Sequence, residues 1–148
     1  MHQGSCLCGS IRYQIESDLK AVVNCHCRFC SRAHGAAFTT LLFMPFANLR
    51  IVAGDDCIAR YHIPAQNAQR CFCGSCGSRL YNHAPAAGMI SLVVATLEAG
   101  ALVRPLAHIN VESKCDWFPI HDGLPQFASM PDPAEFRRLL SSCDAARR

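Results

Sequence analysis

Apolar and polar residues alternate over short stretches of this chain. Ile11-Arg12-Tyr13-Gln14-Ile15-Glu16 sets Ile11, Tyr13 and Ile15 on one face and Arg12, Gln14 and Glu16 on the other, the period-two pattern of a half-buried strand. Residues 21–24, 38–43, 49–53, 58–63, 79–82, 89–95 and 107–111 are further β-rich candidates. Turn signals separate them at Ala53-Gly54-Asp55, Gly74-Ser75, Ala87-Gly88 and Ala99-Gly100. Many short strands with no interleaved long helices predict a mainly β fold of small antiparallel sheets and exclude a doubly wound α/β architecture. One helix is predicted at the C-terminal end. Asp132 stands as its N-cap, Pro133 at its first position and Glu135 where a capping box needs a carboxylate. Phe136, Leu139, Leu140 and Cys143 then recur at helical spacing to form one apolar face. The expected organisation is one domain over residues 1–131, with residues 132–148 as a helix and tail packed on it or extending from it.

Composition narrows the class. The chain has 148 residues, 51% of them hydrophobic and 17% charged, which suits one globular domain and excludes global disorder. The formal charge is +3 with no block of like charge, so the footprint of a nucleic-acid binder is missing. The most apolar stretch, residues 89–103, is interrupted by Thr96, Glu98 and Gly100 and falls short of the roughly 18 residues a membrane span needs. The first residues, Met1-His2-Gln3-Gly4-Ser5-Cys6, carry neither a basic nor an apolar leader segment. The expectation is a soluble cytoplasmic protein with no nucleic-acid or membrane partner.

The cysteines change the picture most. There are eleven, an odd number that does not fit a simple disulfide framework. Most fall in three clusters: Cys6-Leu7-Cys8-Gly9, Cys25-His26-Cys27-Arg28-Phe29-Cys30, and Cys73-Gly74-Ser75-Cys76-Gly77 with Cys71 just upstream. Thiolates this close in sequence can converge on one cation, and tetrahedral thiolate sites favour zinc. Cys6, Cys8, Cys73 and Cys76 would make a closed four-thiolate site of the structural kind. Cys25, Cys27 and Cys30 would then form a three-thiolate group with one open position, the arrangement of a catalytic zinc. Spacing leaves alternatives: Cys71 in place of a neighbour, His34 as a fourth ligand beside Cys30, or a redox pair at Cys73/Cys76 or Cys27/Cys30. With seven thiolates and two zinc ions, the formal +3 becomes about neutral.

Taken together, these motifs resemble the glutathione-dependent formaldehyde-activating enzyme family, which includes centromere protein V. The resemblance rests on Gly4-Ser5-Cys6-Leu7-Cys8-Gly9, the run from Asn24 to Phe38, the run from Arg70 to Leu80, and the later pieces His108 to Trp117 and Asp122 to Phe127. It implies a fold shared with B-type methionine sulfoxide reductases and small Rab-exchange proteins. It also implies the same metal partition: a structural zinc on Cys6, Cys8, Cys73 and Cys76 and a catalytic zinc on Cys25, Cys27 and Cys30. The implied activity is that of a carbon–sulfur lyase, adding glutathione or a related thiol to a small aldehyde such as formaldehyde. Arg28, Arg32 and Lys114 are candidate partners for the carboxylates of glutathione, and Cys71 and Cys115 lie outside the family's ligand set. The competing reading is a non-catalytic, zinc-stapled binding module.

Overall fold

The computed structural model describes residues 1–98 and 103–146, with side chains described as far as Ser142. In chain order the strands are β1 (His2–Ser5), β2 (Arg12–Ile15), β3 (Val22–Cys25), β4 (Thr39–Pro45), β5 (Leu49–Ala53), β6 (Ile58–Ile63), β7 (Ala68–Cys73), β8 (Arg79–Ala84), β9 (Met89–Val93) and β10 (His108–Ile109). The helices are α1 (Arg28–His34) and α2 (Pro133–Ala146), and short 3-10 turns join several strands. The chain is mainly β, as the alternation predicts. No helix among the described residues is long and apolar enough to cross a membrane.

Two compact units are present. The first comprises Met1–Leu19 and Leu42–Leu102. Here β1, β2 and β5 form a three-stranded sheet in that order, and β9, β8, β7 and β6 lie in sequence in the other. The pairs β1–β2, β2–β5, β6–β7, β7–β8 and β8–β9 are all antiparallel. Ile11, Tyr13 and Ile15 are buried while Arg12 and Glu16 are exposed, so the alternation in β2 sets which face meets the core. The residues 49–53 and 58–63 fold over the predicted bounds.

β1 has no apolar alternation and is held by its partners instead. Gly4 pairs with Tyr13 and also bridges Leu97. A Cβ on Gly4 would meet the Tyr13 ring at 2.3 Å and the Thr96 carbonyl oxygen at 2.5 Å, so only glycine lets these groups close. Tyr13 Oη then lies 2.6 Å from Thr96 Oγ1, and burial pushes the phenol up to about 12.

Gly54, between β5 and β6, has a related role against Ser10, which follows the first cysteine cluster. Its φ is +73°, and a Cβ there would fall 2.1 Å from the Ser10 carbonyl oxygen. Gly54→Ala is therefore expected to cost about 1–3 kcal/mol, because it forces both a left-handed alanine and a backbone clash. A lower denaturant midpoint with an unchanged slope checks this.

The second unit comprises Lys20–Leu41 and Val103–Arg148. It departs from the antiparallel expectation at β10, which pairs with β3 in parallel, His108 opposite Asn24 and Ile109 opposite Cys25, and His108 also makes a parallel bridge to Gln126. The pairing extends through Asn24 N to Ala107 O at 2.9 Å and His26 N to Ile109 O at 3.0 Å. The C-terminal helix is capped as its sequence predicts. Asp132 Oδ1 accepts from the N–H groups of Ala134 and Glu135, each at 2.8 Å, and Glu135 Oε2 accepts from Asp132 N at 3.2 Å. Phe136, Leu139 and Leu140 are half-buried on one face, while Arg137, Arg138, Ser141 and Ser142 face solvent. The predicted Ala99-Gly100 turn and the side chain of Cys143 lie outside the described residues.

Candidate metal centres

The four-cysteine cluster lies within the first unit. Cys6 and Cys8 occupy the turn between β1 and β2, Cys73 ends β7, and Cys76 lies in the turn before β8. Their four sulfurs lie within 4.8 Å of one another. Cys8 Sγ is 3.4 Å from Cys6 Sγ and 3.8 Å from Cys73 Sγ. The two segments are built alike. Each cysteine pair is followed by a glycine at φ +76°, Gly9 and Gly77, which lets the chain turn back sharply. Gly9 N donates to Cys6 O at 3.0 Å and Gly77 N donates to Cys73 O at 2.9 Å. Ile11 N points at Cys6 Sγ over 3.2 Å. Ser10 Oγ is 3.2 Å from Cys8 Sγ, and Ser78 Oγ is 3.3 Å from Cys76 Sγ while also accepting from Leu7 N at 2.9 Å. Hydrogen bonding from Ser10 draws the Cys8 thiol down, and that from Ser78 brings Cys76 to about 5. Cys8 and Cys76 are thus drawn toward the thiolate form, whereas the Cys73 thiol is pushed up.

The three-cysteine cluster lies within the second unit. Cys25 ends β3, Cys27 is the N-cap of α1, and Cys30 sits in the helix's first turn. These sulfurs too lie within 4.8 Å of one another. Cys27 Sγ accepts from Cys30 N at 3.4 Å, so the cap itself brings two of the sulfurs together. Gly35, left-handed at φ 60°, ends the helix after Arg32 and His34. Cys25 and Cys30 are buried and Cys27 is half-buried. The sulfurs hydrogen-bond to one another, and with burial this pushes the Cys25 and Cys30 thiols up. Three crowded sulfurs in a buried place cannot all carry charge without a cation among them.

Both clusters are soft-donor sets that fit a metal ion, and their chemistry is consistent with zinc. Among the described residues, no fourth histidine, cysteine or carboxylate joins Cys25, Cys27 and Cys30. His34 is not in that group, and Cys71 is not in the four-sulfur one. Cys71 is instead buried in β7 opposite Tyr81.

His26, between two of the sulfurs in sequence, belongs to a different arrangement. Its Nε2 lies 2.8 Å from His108 Nδ1, and His108 Nε2 lies 2.8 Å from Asp122 Oδ2. The His108 hydrogen bond holds the Asp122 carboxyl below the usual range. In the neutral tautomer of His108 that donates its Nε2–H to an ionised Asp122, Nδ1 is left to accept from His26 Nε2–H. Burial, then the neighbouring His108 and Lys114, bring His26 down to about 4 and keep it neutral. Its ring packs 5.0 Å from Phe38, centroid to centroid. Of the three candidate cations, Arg28 and Arg32 are exposed on α1 and Lys114 is half-buried. Arg28 Nη1 is 3.9 Å from Cys115 Sγ.

Sequence reasoning missed α1 and the groups that β10 brings to the cluster. Gly35 after Arg32 and His34 was the available signal for the helix end. Asn110, whose Nδ2 donates to Cys25 Sγ over 3.4 Å, has no local signal at all.

A mainly β chain that gathers one four-sulfur and one three-sulfur cluster falls in the class of cysteine-rich proteins whose donor sets could hold metal. The model of the glutathione-dependent formaldehyde-activating enzyme family matches residues 1–113, and the chain belongs to that family. It is 27% identical over 139 residues to a Halomonas elongata protein that carries the provisional name of glutathione-dependent formaldehyde-activating enzyme; the alignment covers 88% of each chain. Its fold is similar to the crystal structure of a Rhodobacter sphaeroides protein, with a TM-score of 0.58 and 19% identity, over 84% of this chain and 98% of that one.

Proposed function

We propose that this protein is a zinc-dependent enzyme of the carbon–sulfur lyase type, adding glutathione or a related thiol to a small aldehyde such as formaldehyde. The observation that carries this reading is the unequal pair of clusters, four sulfurs and three, in a family described by that activity. Four thiolates close a tetrahedral site, whereas three leave a position for another group. On this reading Cys6, Cys8, Cys73 and Cys76 hold a structural zinc, and Cys25, Cys27 and Cys30 hold the catalytic one. When bound at the three-cysteine cluster, zinc supplies positive charge that favours the thiolate form of an incoming thiol.

The chain's own residues do the rest. Cys25 and Cys30 close the buried side of the cluster, while Cys27 is its most accessible member. Arg28 and Arg32, one turn apart on α1, offer guanidinium groups to the carboxylates of a tripeptide thiol. The chemistry balances without an oxidant or reductant. The sulfur forms a bond to the aldehyde carbon, the carbonyl π pair moves to oxygen, and the thiol proton ends on that oxygen. The reverse reaction breaks the carbon–sulfur bond. Clustered reduced thiols support a cytoplasmic setting within the same proposal. The half-buried face of α2 supports a C-terminal helix that packs on the domain rather than extending from it.

Carbon-13 NMR of labelled formaldehyde mixed with glutathione tests the reading. Zinc-loaded protein is expected to speed formation of the S-hydroxymethyl adduct above the uncatalysed rate. Protein that holds two zinc ions yet leaves the rate unchanged would instead be a zinc-stapled binding module.

A further inference from the structure

Asn110 donates a side-chain hydrogen bond to a sulfur of the three-cysteine cluster from outside its own segment, at 3.4 Å from Cys25 Sγ and 85 positions away in sequence. Three features hold it there. It follows β10 directly, and the parallel register that sets Ile109 opposite Cys25 brings it alongside the end of β3. Its backbone is left-handed at φ 57°, ψ 37°. Ser113 N then closes the turn onto Asn110 O at 3.2 Å. Left-handed backbone is met most easily by glycine, with asparagine and aspartate the best of the rest. A turn alone would be served by glycine. Asparagine adds an N–H donor, and that donor points at a sulfur.

Three thiolates around a divalent cation leave a net charge of −1. An N–H donor on one sulfur spreads that charge and fixes the direction of the sulfur's lone pairs. Donors behind a ligand act on metal affinity in this way, typically by about 10–100-fold. We propose that Asn110 is a positioning residue of the three-cysteine centre, its amide N–H fixing Cys25 Sγ and drawing charge from it. The inference rests on the reading of Cys25, Cys27 and Cys30 as a metal centre.

Asn110→Gly keeps the left-handed turn and removes the donor, and Asn110→Asp keeps the shape while replacing the donor by a charge. Cadmium-113 NMR of the cadmium-loaded proteins separates the two clusters, and the resonance lost in Cys27→Ser marks the three-cysteine one. In Asn110→Gly that resonance is expected to move while the four-cysteine resonance stays. Zinc affinity at the same cluster is expected to fall about 10–100-fold in a chelator competition, and further in Asn110→Asp. An unmoved resonance and unchanged affinity in Asn110→Gly, with wild type holding two metal ions, would overturn the role of Asn110 and leave the metal reading standing. A wild type that holds metal at the four-cysteine cluster alone would overturn both.

Discussion

Cys6→Ala is expected to leave a protein that no longer folds cooperatively. Cys6 is 3% exposed, sits among the four sulfurs and receives Ile11 N on its own sulfur. Its loss opens a closed site that joins the β1–β2 turn to the β7–β8 turn, 65 residues apart between Cys8 and Cys73. Structural zinc in finger peptides contributes about 10–16 kcal/mol at neutral pH. A whole domain is stable by only about 5–15 kcal/mol, so forfeiting much of the zinc term is enough to unfold it. Circular dichroism melts should show no sharp transition in the variant, and a chelator should do the same to wild type. A variant that melted within a few degrees of wild type would show that the cluster is not a structural staple.

Cys27→Ser should behave in the opposite way. Serine is a good N-cap, so the contact that starts α1 is kept while a thiolate of the proposed zinc centre is lost. The fold is expected to survive with a melt close to that of wild type. Metal content should fall by one ion per chain, and thiol addition to formaldehyde should drop by roughly 100-fold or more, the effect of losing several kcal/mol of charge stabilisation. Isothermal titration should also show weaker glutathione binding than in wild type. Equal glutathione binding and equal rates in both proteins would remove the three-cysteine cluster from the reaction.

How much of this was legible beforehand follows from how far apart the interacting groups are in sequence. β5 and β6 could be read to the residue because local apolar pattern and flanking turns fix both ends. The cap of α2 was legible because Asp132 and Glu135 answer each other three residues apart. The cysteine clusters were legible because two or three cysteines lie in one turn, and the structure brings the two halves of the first cluster together as the cysteine spacing suggested. β1 was not, since Gly4 serves a tyrosine and a threonine carbonyl far along the chain. α1 has only seven residues, too few to announce itself by periodicity, and depends on its cysteine cap and left-handed Gly35. The parallel seat of β10 on β3 is a non-local choice, and with it come the Asp122–His108–His26 chain and the Asn110 contact. The sulfurs were readable one by one, but the groups that orient them were not.

X-ray absorption at the zinc edge, with metal content measured on the same sample, tests the central claim. The account predicts two zinc ions per chain and a mean sulfur count between three and four per zinc in the absence of glutathione. A single zinc, or four sulfurs around every zinc, would contradict a chain that holds one closed and one open centre.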